Sequence, residues 1–155
     1  MKIELLKSEQ YERILSELIE RFEFDKTVFD MFEFYRTKDN VYACSKGAIE
    51  LAKGIAGVQD LGFAFARFGV NVKITTNIVQ MIGKFAEKNF IDLNGAEARQ
   101  FIAGEDINLE KEQNTATNGF VIVRFGADNL GVGFLRGTLL KNLLPGAKQL
   151  PTFIK

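Results

Sequence analysis

The sequence predicts an α+β fold in two packed parts, a helix-bearing α/β half followed by a mostly β half, and three observations carry that reading. Tyr11, Ile14, Leu15, Leu18, Ile19 and Phe22 recur at steps of three and four, which lines them along one face of a helix over roughly residues 9–22. FVIVRFG (120–126) and LGVGFL (130–135) are β-branched and aromatic runs of strand length, separated by an AlaAspAsn turn. No Pro-, Ser- or charge-rich spacer divides the halves, so they are expected to pack rigidly.

The other elements follow in order. KIELL (2–6) alternates weakly, as a short strand does, and Ser8 then offers an N-cap oxygen to the first helix. The aromatic segment 28–44 reads as a hairpin broken at Lys38-Asp39-Asn40. A second helix is predicted from Ser45 through Ile49, Ala52 and Ile55, with Gly57 just beyond its end. Residues 60–76 read as a strand pair joined near Gly69, and a third helix from about Thr76 to Lys88 turns Ile78, Val79, Ile82 and Phe85 inward.

Near residue 89 the pattern changes. A short strand precedes Asn94, which with Glu97 forms a capping-box start for a short helix ending at Gly104. LEKEQNTATN (109–118) is polar and turn-rich, an exposed loop, and LLKNLL (139–144) supplies a further strand.

Composition narrows the chemistry. At 155 residues the chain can bury a real core, and its 20 Lys plus Arg balance its 20 Asp plus Glu, so no global field marks a nucleic-acid or membrane partner. Without histidine there is no His-based acid–base catalysis, Ser-His-Asp triad or HExxH zinc site. The single Cys44 forms neither an internal disulfide nor a thiolate metal cluster, and it reads as a small buried hydrophobe at a strand end. MKIELLKSEQ is no secretory signal and no 18-residue apolar run exists, which points to a cytoplasmic, membrane-free protein, and no cofactor is expected.

Gly131, Gly133 and Gly137 fall short of G-x-G-x-x-G because Arg136 stands where the third glycine belongs, and Pro145 ends the following segment too soon for the required helix. There is no GK[ST] for a P-loop, so these glycines are expected to shape a barrel corner. Glu105, Asp106, Glu110 and Glu112 read as a solvated surface, and Phe63 and Phe65 as core residues sharing a strand face. From Phe120 onward, Arg124, Arg136, Lys141, Lys148 and Lys155 oppose Asp128 alone, a local surplus of +4 suited to phosphate contacts.

IDLNGAEARQFIAGEDI followed by GFVIVRFGADNLGVGFLRGTLLKNLLP resembles a PUA domain, a small pseudo-barrel RNA-binding module. Its NLGVGFLRGTLLKNLLP ending is similar to that of the PUA-like domains accompanying Nol/Nop/Sun RNA cytosine-5 methyltransferases. Residues 40–88 are similar to the α/β pre-PUA domain of the Nip-seven ribosome-biogenesis proteins, known as archaeal stand-alone forms. The resemblance implies a pre-PUA domain over 1–88 packed on a PUA-like domain over 89–155. It implies binding of rRNA or tRNA without catalysis, in ribosome biogenesis or RNA modification, or alternatively a scaffold for an RNA methyltransferase or assembly factor. Carried over by position, the RNA-binding candidates are Arg124, Arg136, Lys141, Asn142 and Lys148, with Gly104 in second place. Relatives often follow the proline with a dense basic cluster, whereas ProGlyAlaLysGln keeps only Lys148.

Overall fold

A computed structural model describes residues 3–150 of the chain, so Lys155, counted in the basic surplus, lies outside the described residues. The fold is α+β, with a curled half-barrel sheet. Its first sheet is antiparallel in the order β1-β2-β3-β4-β5, formed by Glu4–Leu5, Phe32–Thr37, Asn40–Ser45, Phe63–Arg67 and Lys73–Ile74. The second runs β6-β8-β9-β10-β7, from Phe90–Asp92, Gly119–Phe125, Asp128–Arg136, Leu139–Asn142 and Ile107–Asn108. Only β6 joins its neighbour, β8, in parallel.

Helix α1 (Ser8–Phe22) buries Ile14, Leu15, Leu18 and Phe22, the stripe that periodicity marks. Ser8 is not its cap, however. The helix starts at Ser8 itself, and the Gln10 carboxamide oxygen accepts the Lys7 N–H at 3.1 Å, a job the longer side chain does from within the first turn. Helix α2 (Ala48–Lys53) is shorter than the predicted span, because β3 continues through Ser45 and Gly47 in the left-handed region (φ +87°) turns the chain. The carboxylate of Glu33 reaches across from β2 to accept the Ile49 N–H at 2.7 Å, near the start of α2.

Helix α3 (Thr76–Ile82) is capped by the Thr75 hydroxyl and gives way at Gly83 to a 3₁₀ turn over Gly83–Phe85. That change of pitch rotates Phe85 outward to 45% exposure, so it is not part of the inner face. Helix α4 (Gly95–Ile102) has the predicted capping box, with Asn94 and Glu97 exchanging backbone bonds at 2.9 Å, and Gly104 beyond its end at φ +92°. Strand β7 had no signal of its own in the sequence; its two residues are ordered by pairing with Leu139 and Leu140 of β10.

The second sheet is covered on both faces. Val121, Val123, Leu135 and Leu140 face α4 and its Ala98 and Phe101. Ile122 and Val132, on the opposite face, join the core built by α1, α3 and the first sheet. Two residues lock the halves together. Arg21 of α1 donates to the Phe120 carbonyl at 2.9 Å and to the Thr117 carbonyl at 2.8 Å. Asn89, buried and left-handed at φ +57°, donates through its side chain to the Arg21 carbonyl at 2.5 Å and accepts the Thr117 N–H at 2.9 Å.

The glycines of β9 permit close packing. A Cβ on Gly133 would stand 2.5 Å from Leu140 Cδ1 and 3.1 Å from the Lys141 carbonyl oxygen. Gly133→Ala is therefore expected to lower stability by about 1–3 kcal/mol, read as a shift of the urea midpoint at unchanged m.

Cys44 is buried beside Tyr35 and Ile49, as a small hydrophobe is expected to be. Burial pushes its thiol up, and the nearby Glu33 carboxylate adds to that push. A raised thiol contributes stability that is present below the unfolded thiol pKa and lost as pH rises through the folded value. Alkylation of Cys44 at pH 8 should accordingly be slow in the native protein and reach the free-thiol rate in denaturant.

Candidate nucleic-acid interface

The face of the second sheet that packs on the first half is longer than the cover it receives. Strand alternation puts Phe120, Ile122 and Arg124 on that face of β8, and Val132, Phe134 and Arg136 on β9. Leu139 and Lys141 of β10 pair with Arg136 and Phe134 and so share it. The first half covers Ile122, Val132 and Arg124 and packs in part on Phe120 and Leu143, and the opposite end is more open.

That open end is a groove of about 390 Å³ lined by Lys73, Phe120, Phe134, Arg136, Leu139, Lys141 and Leu143. Phe120 and Phe134 are half-buried and meet edge to face, with centroids 5.2 Å apart and planes at 88°. Lys73, Arg136 and Lys141 are exposed, and among the described residues no carboxylate lines the groove and none of the three is ion-paired. Lys73 comes from β5, where its neighbours Val72 and Ile74 point into the core and leave it outward. Phe120, Phe134 and Arg136 also line a larger cleft of about 760 Å³ between the halves, which adds Glu17, Glu20, Arg21 and Lys88.

The sequence candidates do not gather at one place. Arg136 and Lys141 stand together at the groove. Arg124 points the other way, under the first half. A register shift beside it leaves Leu130 of β9 without a partner on β8. One Arg124 amino group donates to the carbonyls of Gly83 and, at 2.8 Å, Ala86, while the guanidinium lies 4.0 Å from the centroid of the Phe90 ring. Burial holds its pKa below the usual arginine value, and nearby Asp92 works against that shift.

Asn142 is a clamp: its amide donates to the Phe101 and Glu105 carbonyls at 2.7 and 2.9 Å, and its oxygen accepts the Leu144 N–H at 2.8 Å. Gly104 lies under the Gln149 side chain, which occupies the space a Cβ would need. Lys148 bonds Gln80 at 3.2 Å. Gln80 in turn donates to the Leu130 carbonyl, six residues or about 20 Å along β9 from Arg136. Sequence reasoning missed Lys73, Phe120 and Phe134. The last was accessible by counting in twos back from Arg136; Lys73 was not, because nothing local places β5 beside β10.

Residues 88–147 match the family model described as the methyltransferase RsmF PUA domain. This region is similar to a PUA domain. The groove is thus formed by the PUA-like domain with one bank, Lys73, supplied from outside it. The ribosomal RNA small subunit methyltransferase F of Aeromonas hydrophila subsp. hydrophila is 36% identical over 97 residues, which are 62% of this chain and 20% of that protein. The enzyme of the same name from Aeromonas salmonicida is 33% identical over 78 residues, 50% of this chain and 16% of that protein. The chain therefore spans a fifth or less of the length of these relatives. No helix among the described residues is long and apolar enough to cross a membrane.

Proposed function

We propose that this is a non-catalytic RNA-binding protein of the cytoplasm that acts in ribosome biogenesis or rRNA modification. Residues 1–88 serve as one α/β unit and 89–155 as the PUA-like unit. The observation that carries the reading is the groove: three cations with no carboxylate among them, on the PUA-like sheet and its margin. Matched relatives are named for methylation of ribosomal RNA, and the shared stretch is a fifth of their length, which favours an RNA-positioning role over the methyl transfer itself. Of the sequence candidates, Arg136 and Lys141 would meet phosphates, while Arg124 and Asn142 hold the fold. Crosslinking to RNA in native extract, followed by sequencing of the bound fragments, should enrich ribosomal RNA; no enrichment over a mock capture would refute the proposal.

A second reading, an accessory subunit docking on an RNA methyltransferase or assembly factor, is favoured by one feature. At the far end of the first half, Ile3, Leu5, Ile49, Ala52, Ile55 and Val58 line a mostly apolar hollow, with Leu5 63% and Ile55 54% exposed. A partner retained by the double variant Arg136→Glu/Lys141→Glu, with no RNA in the complex, would favour it.

A further inference from the structure

We propose that the groove takes single-stranded RNA, with one unpaired base stacked on the Phe120–Phe134 pair and the adjoining phosphates held by Lys73, Arg136 and Lys141. This rests on the RNA-binding reading above and adds to it the form of RNA and the part played by the first half.

The floor of the groove decides between duplex and single strand. A duplex turns phosphates and sugars outward and keeps its base faces stacked on one another. It could engage the three cations and would leave Phe120, Phe134, Leu139 and Leu143 facing sugar edges and water. An unpaired base has a free π-face, and an aromatic floor beneath a basic rim is the arrangement that uses both parts of a nucleotide. The perpendicular rings set the count. At 88° to each other, at most one can lie flat along the floor, so the pair accommodates one base and its partner ring buttresses it.

Charge sets the direction of the strand. Among the described residues the groove holds no carboxylate, whereas the adjoining cleft mixes Glu17 and Glu20 with Arg21 and Lys88. Glu17 already accepts from Arg13 at 3.1 Å and from the Val72 N–H at 2.7 Å, but Glu20 is exposed. The carboxylate-free path for a phosphate track runs from Lys141 and Arg136 toward Lys73, and it crosses from the PUA-like domain onto β5.

The test uses the full chain and two fluorescein-labelled probes, a 12-nucleotide uridine RNA and a 12-base-pair RNA duplex, read by anisotropy at low salt. The single strand should bind at least about tenfold tighter than the duplex. Of Phe120→Leu and Phe134→Leu, which keep apolar bulk and remove the π-face, at least one should weaken single-strand binding about 5- to 100-fold with its salt slope unchanged. Lys73→Ala should lower that slope by about 0.7, one phosphate contact. Duplex binding equal to or tighter than single-strand binding, with both leucine variants silent, overturns the inference; if Arg136→Glu/Lys141→Glu still weakens the duplex, the RNA-binding reading survives it. Failure of the unmodified chain to bind either probe overturns both. Thermal melts of each variant show that losses of affinity come from folded protein, and the preference of the unmodified chain needs no variant at all.

Discussion

Replacing Arg124 by leucine is expected to lower the melting temperature by roughly 4–12 °C and to leave RNA affinity within about twofold. The guanidinium spans the two halves, donating to the carbonyls of Gly83 and Ala86 from a strand otherwise packed against the core. Hydrogen bonds from a charged donor contribute about 1.5–3 kcal/mol each, and the Phe90 contact adds about 0.5–2 kcal/mol. Burying the cation offsets part of that sum, as the depressed pKa attests. A net loss of about 2–3 kcal/mol remains, and at this chain length each kcal/mol moves Tm by roughly 2–4 °C. A phosphate-binding arginine would behave oppositely, with affinity falling and Tm holding, so a calorimetric scan beside a binding titration separates the two roles.

Arg136→Glu/Lys141→Glu should give that opposite pattern. Both side chains are exposed and free of ion pairs among the described residues, so removing them costs little stability. If each neutralises one phosphate, the slope of log affinity against log salt should fall by about 1.4 for a single strand. The introduced carboxylates repel the same phosphates, so at low salt affinity should drop by at least about tenfold. Unchanged affinity for a structured RNA in a low-salt filter assay would count heavily against the groove. By contrast, Lys148→Glu, some 20 Å distant along β9, should have a minor effect.

The features legible in the sequence are those whose cause is local. The α1 stripe and the Asn94–Glu97 box are set by residues three and four apart, and both stand where periodicity puts them. The β8–β9 hairpin is equally local. What the sequence concealed is what distant partners decide. Arg124 reads as one more cation on a basic strand, because its acceptors lie 38 and 41 residues earlier. Asn142 reads as part of a basic word, yet its amide is consumed by α4 and the turn after it. Phe85 fits the helical stripe by spacing and leaves it because Gly83 tightens the pitch. Charge counting found a basic surplus in the second half, but only the packing of the halves shows that two of those cations share a groove with Lys73.

Asn89 bears on how the groove is assembled. Its left-handed backbone and its bonds to Arg21 and Thr117 fix how the two halves meet, and the same junction sets Lys73 opposite Arg136 and Lys141. The ordering entropy of bringing those banks together is spent when the chain folds, not when a ligand arrives. If the groove takes RNA as proposed, an incoming strand meets a finished surface, and stopped-flow binding is expected to show one bimolecular phase with a rate proportional to RNA concentration and no slower closing phase.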